Sequence, residues 1–167
     1  MNKPIRKVVI AGGGTAGWMA AATIGKILGK TLDVTLIESD AIGTVGVGEA
    51  TIPPLITFHR LLDINDQEFM AATNATFKLG ISFENWRDVG EDYIHSFGVT
   101  GKDHWTAGFQ HFWLKDRACG SKIPFGDYCL ELKAAQENKF AHLPKQGLNY
   151  AFHLDATDYA KYLRKFT

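Results

Sequence analysis

The sequence predicts an open α/β fold, and three observations in its first forty residues carry that prediction. A β-branched run, KVVIA at residues 7–11, leads straight into a glycine turn, GGGTAG at 12–17. The turn opens a stretch of helical density over residues 16–28, where Trp18, Met19, Ala22, Ile24, Ile27 and Leu28 recur at helix spacing. Gly29 and Lys30 then stop the helix, and DVTLIE at 33–38 reads as a second buried strand that ends on an acid.

The later elements follow from the same periodicities. Residues 39–54 form a loop with Gly43, Gly46 and Gly48, closed by Pro53 and Pro54. Helices are predicted over 55–62 and 66–73. From Thr76 to Glu84, apolar Phe77, Leu79, Ile81 and Phe83 alternate with polar residues, the pattern of one half-buried strand, and Lys78 then shares a face with Thr76 and Ser82. Beyond Trp86 the chain is rich in aromatics but short of regular period, which predicts an irregular segment. Asp155 is a helix cap, and residues 156–166 have helical composition with no Gly or Pro stop, so a further C-terminal part is expected after Thr167. No repeat or linker marks an internal boundary, and residues 1–167 read as part of a single domain.

Composition narrows the function classes. Lys and Arg number 18 against 18 Asp and Glu, and 46% of the 167 residues are apolar, so the chain is globular and carries no basic run for nucleic acid or an anionic membrane. Cys119 and Cys129 are too few for a disulfide framework, and a reducing cytoplasm is the expected setting. The basic start and the uncharged run over 8–25 resemble a signal peptide. Glycines 12, 13, 14 and 17 would break its apolar helix, however, at about 1 kcal/mol each. No stretch reaches the roughly 18 apolar residues of a membrane span.

Gly12, Gly14 and Gly17 form G-x-G-x-x-G between a strand and a helix, and Glu38 ends the next strand 21 residues past Gly17. This order is the fingerprint of a Rossmann-like dinucleotide site. The first glycine permits the turn, the second lets a pyrophosphate approach the backbone, and the third lets helix pack on strand. The N–H groups of Thr15 and Ala16 and the helix dipole face the phosphates, and Glu38 meets a ribose hydroxyl. Either FAD or NAD(P) satisfies the pattern, although a carboxylate at position 38 disfavours the 2′-phosphate of NADP.

The glycine loop over 43–53 lies where open α/β sheets bind ligands, and would let backbone pass close to a flat ring. Lys78 is open to two readings: a solvated lysine on the polar face of a strand, or a partly enclosed amine whose pKa falls with desolvation. The six histidines show no H-E-x-x-H and no Cys–His spacing, so no metal is expected. His95 and Phe97 either fill a core or face a planar aromatic ligand.

Four segments, GGGTAGWMAA at 12–21, VGVGEATIP at 45–53, NATFKLGISFENW at 74–86 and YIHSFG at 93–98, together resemble the flavin-dependent tryptophan halogenases. HFWL at 111–114 and HLDATDYAKYL at 153–163 add a weaker likeness. The resemblance implies an FAD-binding fold of the flavin monooxygenase and halogenase type, with FAD reduced by a separate flavin reductase and with chloride or bromide as co-substrate. It implies that Lys78 is the catalytic lysine that receives hypohalous acid, and that residues 45–53 form a strap in which Ala50 touches the cofactor through its backbone. It also implies that His95 and Phe97 border the indole ring of tryptophan or a similar small aromatic substrate. The family's catalytic glutamate, its halide-binding segment and its W-x-W-x-I-P signature are then expected after Thr167, and these 167 residues alone are expected to be inactive. A homodimer is compatible with this reading. Two alternatives remain at this level, an FAD- or NAD-dependent oxidoreductase that does not halogenate and a nucleotide-binding module without chemistry of its own.

Overall fold

A computed structural model describes residues 4–42, 48–142 and 147–167. The chain divides into two compact units, one of Met1–Thr76 with Phe152–Thr167, the other of Phe77–Ala151.

In the first unit, β1 (Lys7–Ala11) and β2 (Asp33–Ile37) pair in parallel from Lys7 opposite Asp33 to Ala11 opposite Ile37. Helix α1 (Thr15–Leu28) crosses between them and buries Trp18, Ala21 and Ala22. Antiparallel to β3 (Gly48–Ala50) runs β7 (Ala151–Asp155), which places Ala50 opposite His153. Two short helices, α2 (Pro54–Leu61) and α3 (Asp66–Thr73), follow β3. Asn65 caps α3 through its side chain, which accepts from the N–H groups of Gln67 and Glu68. Asn74 ends the helix in the left-handed region at φ 50°, a conformation asparagine tolerates, and turns the chain toward β4 (Thr76–Lys78).

Helix α6 (Ala156–Arg164) closes this unit. Asp155 caps it by accepting from the Asp158 N–H at 3.0 Å, as its sequence predicts. Of its buried residues, Ala156, Tyr159, Ala160 and Leu163 fall at i, i+3, i+4 and i+7, with Tyr162 buried beside them, on a helix that packs against α1 and α3. Tyr159, Phe69, Phe152 and His59 meet in one aromatic cluster, where edge-to-face contacts such as Phe69 on Phe152 at 4.9 Å fill the interior. The His59 Nε2 lies 2.9 Å from the Tyr159 hydroxyl, and burial pushes the imidazole down to about 4.

The second unit is built on an antiparallel pair, β5 (Gly80–Phe83) with β6 (Tyr93–Ser96), in which Gly80 stands opposite Ser96 and Phe83 opposite Tyr93. Helix α4 (Phe109–Ala118), a 3-10 turn at Phe125–Tyr128 and α5 (Leu130–Gln136) follow, and α5 packs against β5 and β6.

Five expectations change. The strand expected to be buried over 33–38 leaves Asp33, Thr35 and Ile37 exposed, and the loop expected over 39–54 holds β3, which pairs with β7. The predicted strand over 76–84 is two strands interrupted at Leu79, so the strict alternation fails: Lys78 and Leu79 are both buried while Phe77 is 36% exposed. The aromatic segment after Trp86 is more regular than its composition suggests. It holds β6, α4, the 3-10 turn and α5, of which α4 buries no residue and therefore shows no apolar stripe to read. The final helix ends at Arg164 rather than at 166.

Candidate functional site

The glycine turn has the geometry its spacing predicts. Gly12 sits at φ +122°, where only glycine is unstrained, and its N–H donates to the Ile37 carbonyl at 2.8 Å, tying the turn to the end of β2. A Cβ on Gly17 would strike the Gly12 carbonyl oxygen, so the third glycine is what lets α1 lie against the turn. A Cβ on Gly14 would meet nothing within 4 Å, and Gly14 is also the extended N-cap of α1. No side chain caps that end and its first turn holds no acid. Thr15 donates to the Ala156 carbonyl at 3.4 Å, which leaves the helix N-terminus with main-chain N–H groups to offer an anion. An open space at the second glycine beside an uncapped helix N-terminus fits the pyrophosphate of a dinucleotide.

Glu38 lies over this turn. Its side chain occupies the space that a Cβ on Gly13 would need, which accounts for the third adjacent glycine in the sequence. The Trp18 indole Nε1 donates to Glu38 Oε2 at 3.1 Å, and Arg164 Nη1 meets Oε1 at 3.0 Å. The Arg164 guanidinium also stands 5.5 Å over the Trp18 ring. Sequence reasoning missed Trp18 and Arg164 as site residues. Trp18 was visible beside the glycines, whereas Arg164 reaches the acid only through tertiary packing of α6 on α1.

Ala50 is exposed on β3, and the next residue pins the strand to β7. The Thr51 N–H donates to the Phe152 carbonyl at 2.9 Å, and Thr51 Oγ1 accepts from the Phe152 N–H at 3.0 Å. Residues 43–47 of the expected strap lie outside the described residues.

In the second unit, Lys78 and Phe97 come together. Lys78 is 6% exposed, and its Nζ stands 5.4 Å from the centroid of the Phe97 ring. Burial lowers the pKa of the ammonium, because a charged group is poorly solvated there. The interruption at Leu79 builds this contact. The Leu79 carbonyl accepts from the Phe97 N–H at 2.9 Å, just beyond the end of β6. Gly80 lets the strands close, since a Cβ there would sit 2.7 Å from the His95 carbonyl oxygen.

His95 is exposed opposite Ile81 on β5. It lines an open groove of about 640 Å³ with Tyr93, Ser96, Phe125, Cys129 and Leu132, a set that does not include Phe97. Buried Glu131 accepts from the Asn149 N–H at 2.9 Å, and Sγ of the groove-lining Cys129 lies 3.1 Å from Ser96 Oγ. Gly98 is what admits this pair: a Cβ there would sit 2.8 Å from Cys129 Sγ and would strike the Glu131 carboxylate.

The profile of the tryptophan halogenase family matches residues 7–167. The chain belongs to that family. Among tryptophan halogenases it is 39% identical over 184 aligned positions to tryptophan 7-halogenase RebH of Lentzea aerocolonigenes, covering 99% of this chain and 34% of that protein. The solved structure of Xcc4156, a flavin-dependent halogenase from Xanthomonas campestris, superposes with a TM-score of 0.93 at 70% identity, over 98% of this chain and 33% of that one. BrvH, a flavin-dependent halogenase from Brevundimonas sp. BAL3, gives 0.84 at 43% identity, over 97% and 33%. The chain thus spans about a third of the length of the halogenases it matches. Its fold is that of the flavin-dependent halogenases, and no helix among the described residues is long and apolar enough to cross a membrane.

Proposed function

We propose that the chain supplies the FAD-binding turn and the reactive lysine of a flavin-dependent halogenase acting on an electron-rich aromatic, tryptophan or another indole. Family membership supports the reaction class. The single observation that carries the mechanism is the buried amine of Lys78 over the Phe97 ring.

Gly14, Thr15 and Ala16 would hold the pyrophosphate of FAD, Gly12 and Gly17 would shape the turn for it, Glu38 would meet the adenosine ribose, and the backbone of Ala50 would face the cofactor. With FAD bound there and reduced by a separate flavin reductase, the chemistry supplied would be oxidation of halide by oxygen to hypohalous acid. Lys78 receives it. A protonated amine donates a hydrogen bond to the hypohalous oxygen, making the halogen more electrophilic. A neutral amine instead exchanges its proton for the halogen, giving a haloamine and water. Burial, by lowering the ammonium pKa, favours the neutral route, and it keeps solvent from consuming the oxidant. An aromatic carbon then attacks the halogen, and the displaced ring proton passes to a base supplied by the rest of the enzyme.

His95 and Phe97 border the aromatic substrate in this reading, Phe97 from beside Lys78 and His95 from the open groove. The test is product analysis in the complete enzyme, with reductase, FAD, halide and an indole panel. Halogenated product that requires Lys78 supports the proposal. Turnover of reduced flavin with no halide-dependent product on any accepted indole or phenol removes it.

A further inference from the structure

We infer that Arg164 and Trp18 are positioning residues of the nucleotide site, which together hold the Glu38 carboxylate over the glycine turn in the orientation that meets the adenosine ribose. The inference rests on the reading of residues 12–38 as the FAD half-site.

Among the described residues each oxygen of Glu38 has one side-chain donor, the indole Nε1 on Oε2 at 3.1 Å and the guanidinium on Oε1 at 3.0 Å. A carboxylate accepts about four hydrogen bonds, so acceptor capacity remains for the 2′-hydroxyl of the ribose. The donors support each other, because the guanidinium lies 5.5 Å over the indole ring and both side chains are thereby fixed. Gly13 completes the arrangement, since a side chain there would displace the carboxylate.

An ordinary surface ion pair accounts less well for these facts. The Arg164 side chain is 65% exposed, and exposed pairs add little to folding stability. What the contacts do supply is order. A glutamate that is already immobile loses less conformational freedom when the ribose binds, and binding is tighter for it. Arg164 comes from the last turn of α6, so the same contact makes packing of α6 on α1 a condition for a preorganised ribose site.

The experiment measures the affinity of the complete enzyme for FAD and for its 2′-deoxyadenosine analogue, by flavin fluorescence, in Arg164→Met, Trp18→Phe and Glu38→Gln, with thermal unfolding beside each. Arg164→Met should weaken FAD roughly fivefold and leave the analogue within about twofold, because the group that Glu38 recognises is gone from it. Trp18→Phe keeps the ring and removes the donor, and should show the same selectivity. It carries the test if Arg164→Met fails to fold. Equal weakening of both flavins, or of neither, overturns the proposal. The glutamate variant separates this from the underlying reading. If Glu38→Gln discriminates between the flavins and the Arg164 and Trp18 variants do not, Glu38 is the ribose acid but acts without them. If Glu38→Gln binds both flavins as the wild type does, the ribose role of Glu38 falls and the positioning role falls with it.

Discussion

Lys78 holds its ammonium 5.4 Å from the centre of the Phe97 ring, and the two meet because the strand carrying Lys78 breaks at Leu79, whose carbonyl then takes the Phe97 N–H. Opposing influences act on the amine. Desolvation favours the neutral form and dominates, while the negative face of the ring favours the cation. Phe97→Leu keeps the apolar volume but removes the ring, so the lysine pKa should fall further. Reductive methylation with labelled formaldehyde, followed by NMR titration of the methylated lysine, checks the direction. A rise on losing the ring would mean that Phe97 acts only by excluding water.

His95 is exposed at the groove edge, so His95→Ala should leave stability within about 0.5 kcal/mol of wild type. Its effect should appear in the ratio of halogenated isomers, since a displacement of about 1 Å at the reacting carbon can change rate by about 10²-fold. FAD affinity should not move. Isomer ratios across a panel of indoles, read by chromatography, decide whether His95 touches substrate.

Two of the fingerprint glycines, Gly14 and Gly17, should respond differently to substitution. Gly14 is extended at φ −71°, ψ 177° with open space at its Cβ position, so Gly14→Val should preserve the unfolding midpoint while blocking the pyrophosphate. Gly17→Ala drives a methyl into the Gly12 carbonyl and should cost about 1–3 kcal/mol of stability before any ligand is added. Calorimetry of the flavin-free protein, set beside flavin titration, distinguishes the two. Equal destabilisation by both substitutions would contradict the assigned roles.

His59 should make the protein sensitive to acid. Its imidazole titrates near 4 in the folded state against 6.5 in an unfolded chain, because burial among Phe69, Phe152 and Tyr159 disfavours the cation. The unfolded chain therefore binds the extra proton between those values. Stability should fall as pH drops from about 6.5 to about 4, by about 3 kcal/mol in all. Urea unfolding across that range should show the slope in the wild type and flatten it in His59→Phe, whatever the absolute stability of that variant.

The start of the fold was legible because its rules are local. KVVIA, the glycine turn, the α1 stripe and DVTLIE are consecutive, and β1 and β2 lie where their residues predicted strands, with β2 ending one residue before the acid and less buried than its composition suggests. Lys78 was harder to place. Alternation across 76–84 assumed one continuous strand, and the interruption at Leu79 that buries two successive side chains leaves no mark in a polar–apolar pattern. Strand β7 was not anticipated, since AFHLD is fixed by pairing with β3, more than a hundred residues earlier, and not by its own period. Helix α4 escaped for the opposite reason: with no buried face, its aromatics follow no stripe. Arg164 was invisible as a site residue because only the packing of α6 brings it to Glu38.

The central claim, that Lys78 passes the oxidised halogen to the aromatic ring, is tested most directly by Lys78→Met in the complete enzyme. Methionine fills much of the lysine volume and cannot donate a hydrogen bond or form a haloamine. Three quantities are measured together: FAD affinity, consumption of reduced flavin, and halogenated product by mass spectrometry. The account predicts unchanged affinity, continued flavin consumption, and product reduced by about 10²–10³-fold or more, the scale on which one preorganised donor is felt. Product formed at the wild-type rate by Lys78→Met would contradict it.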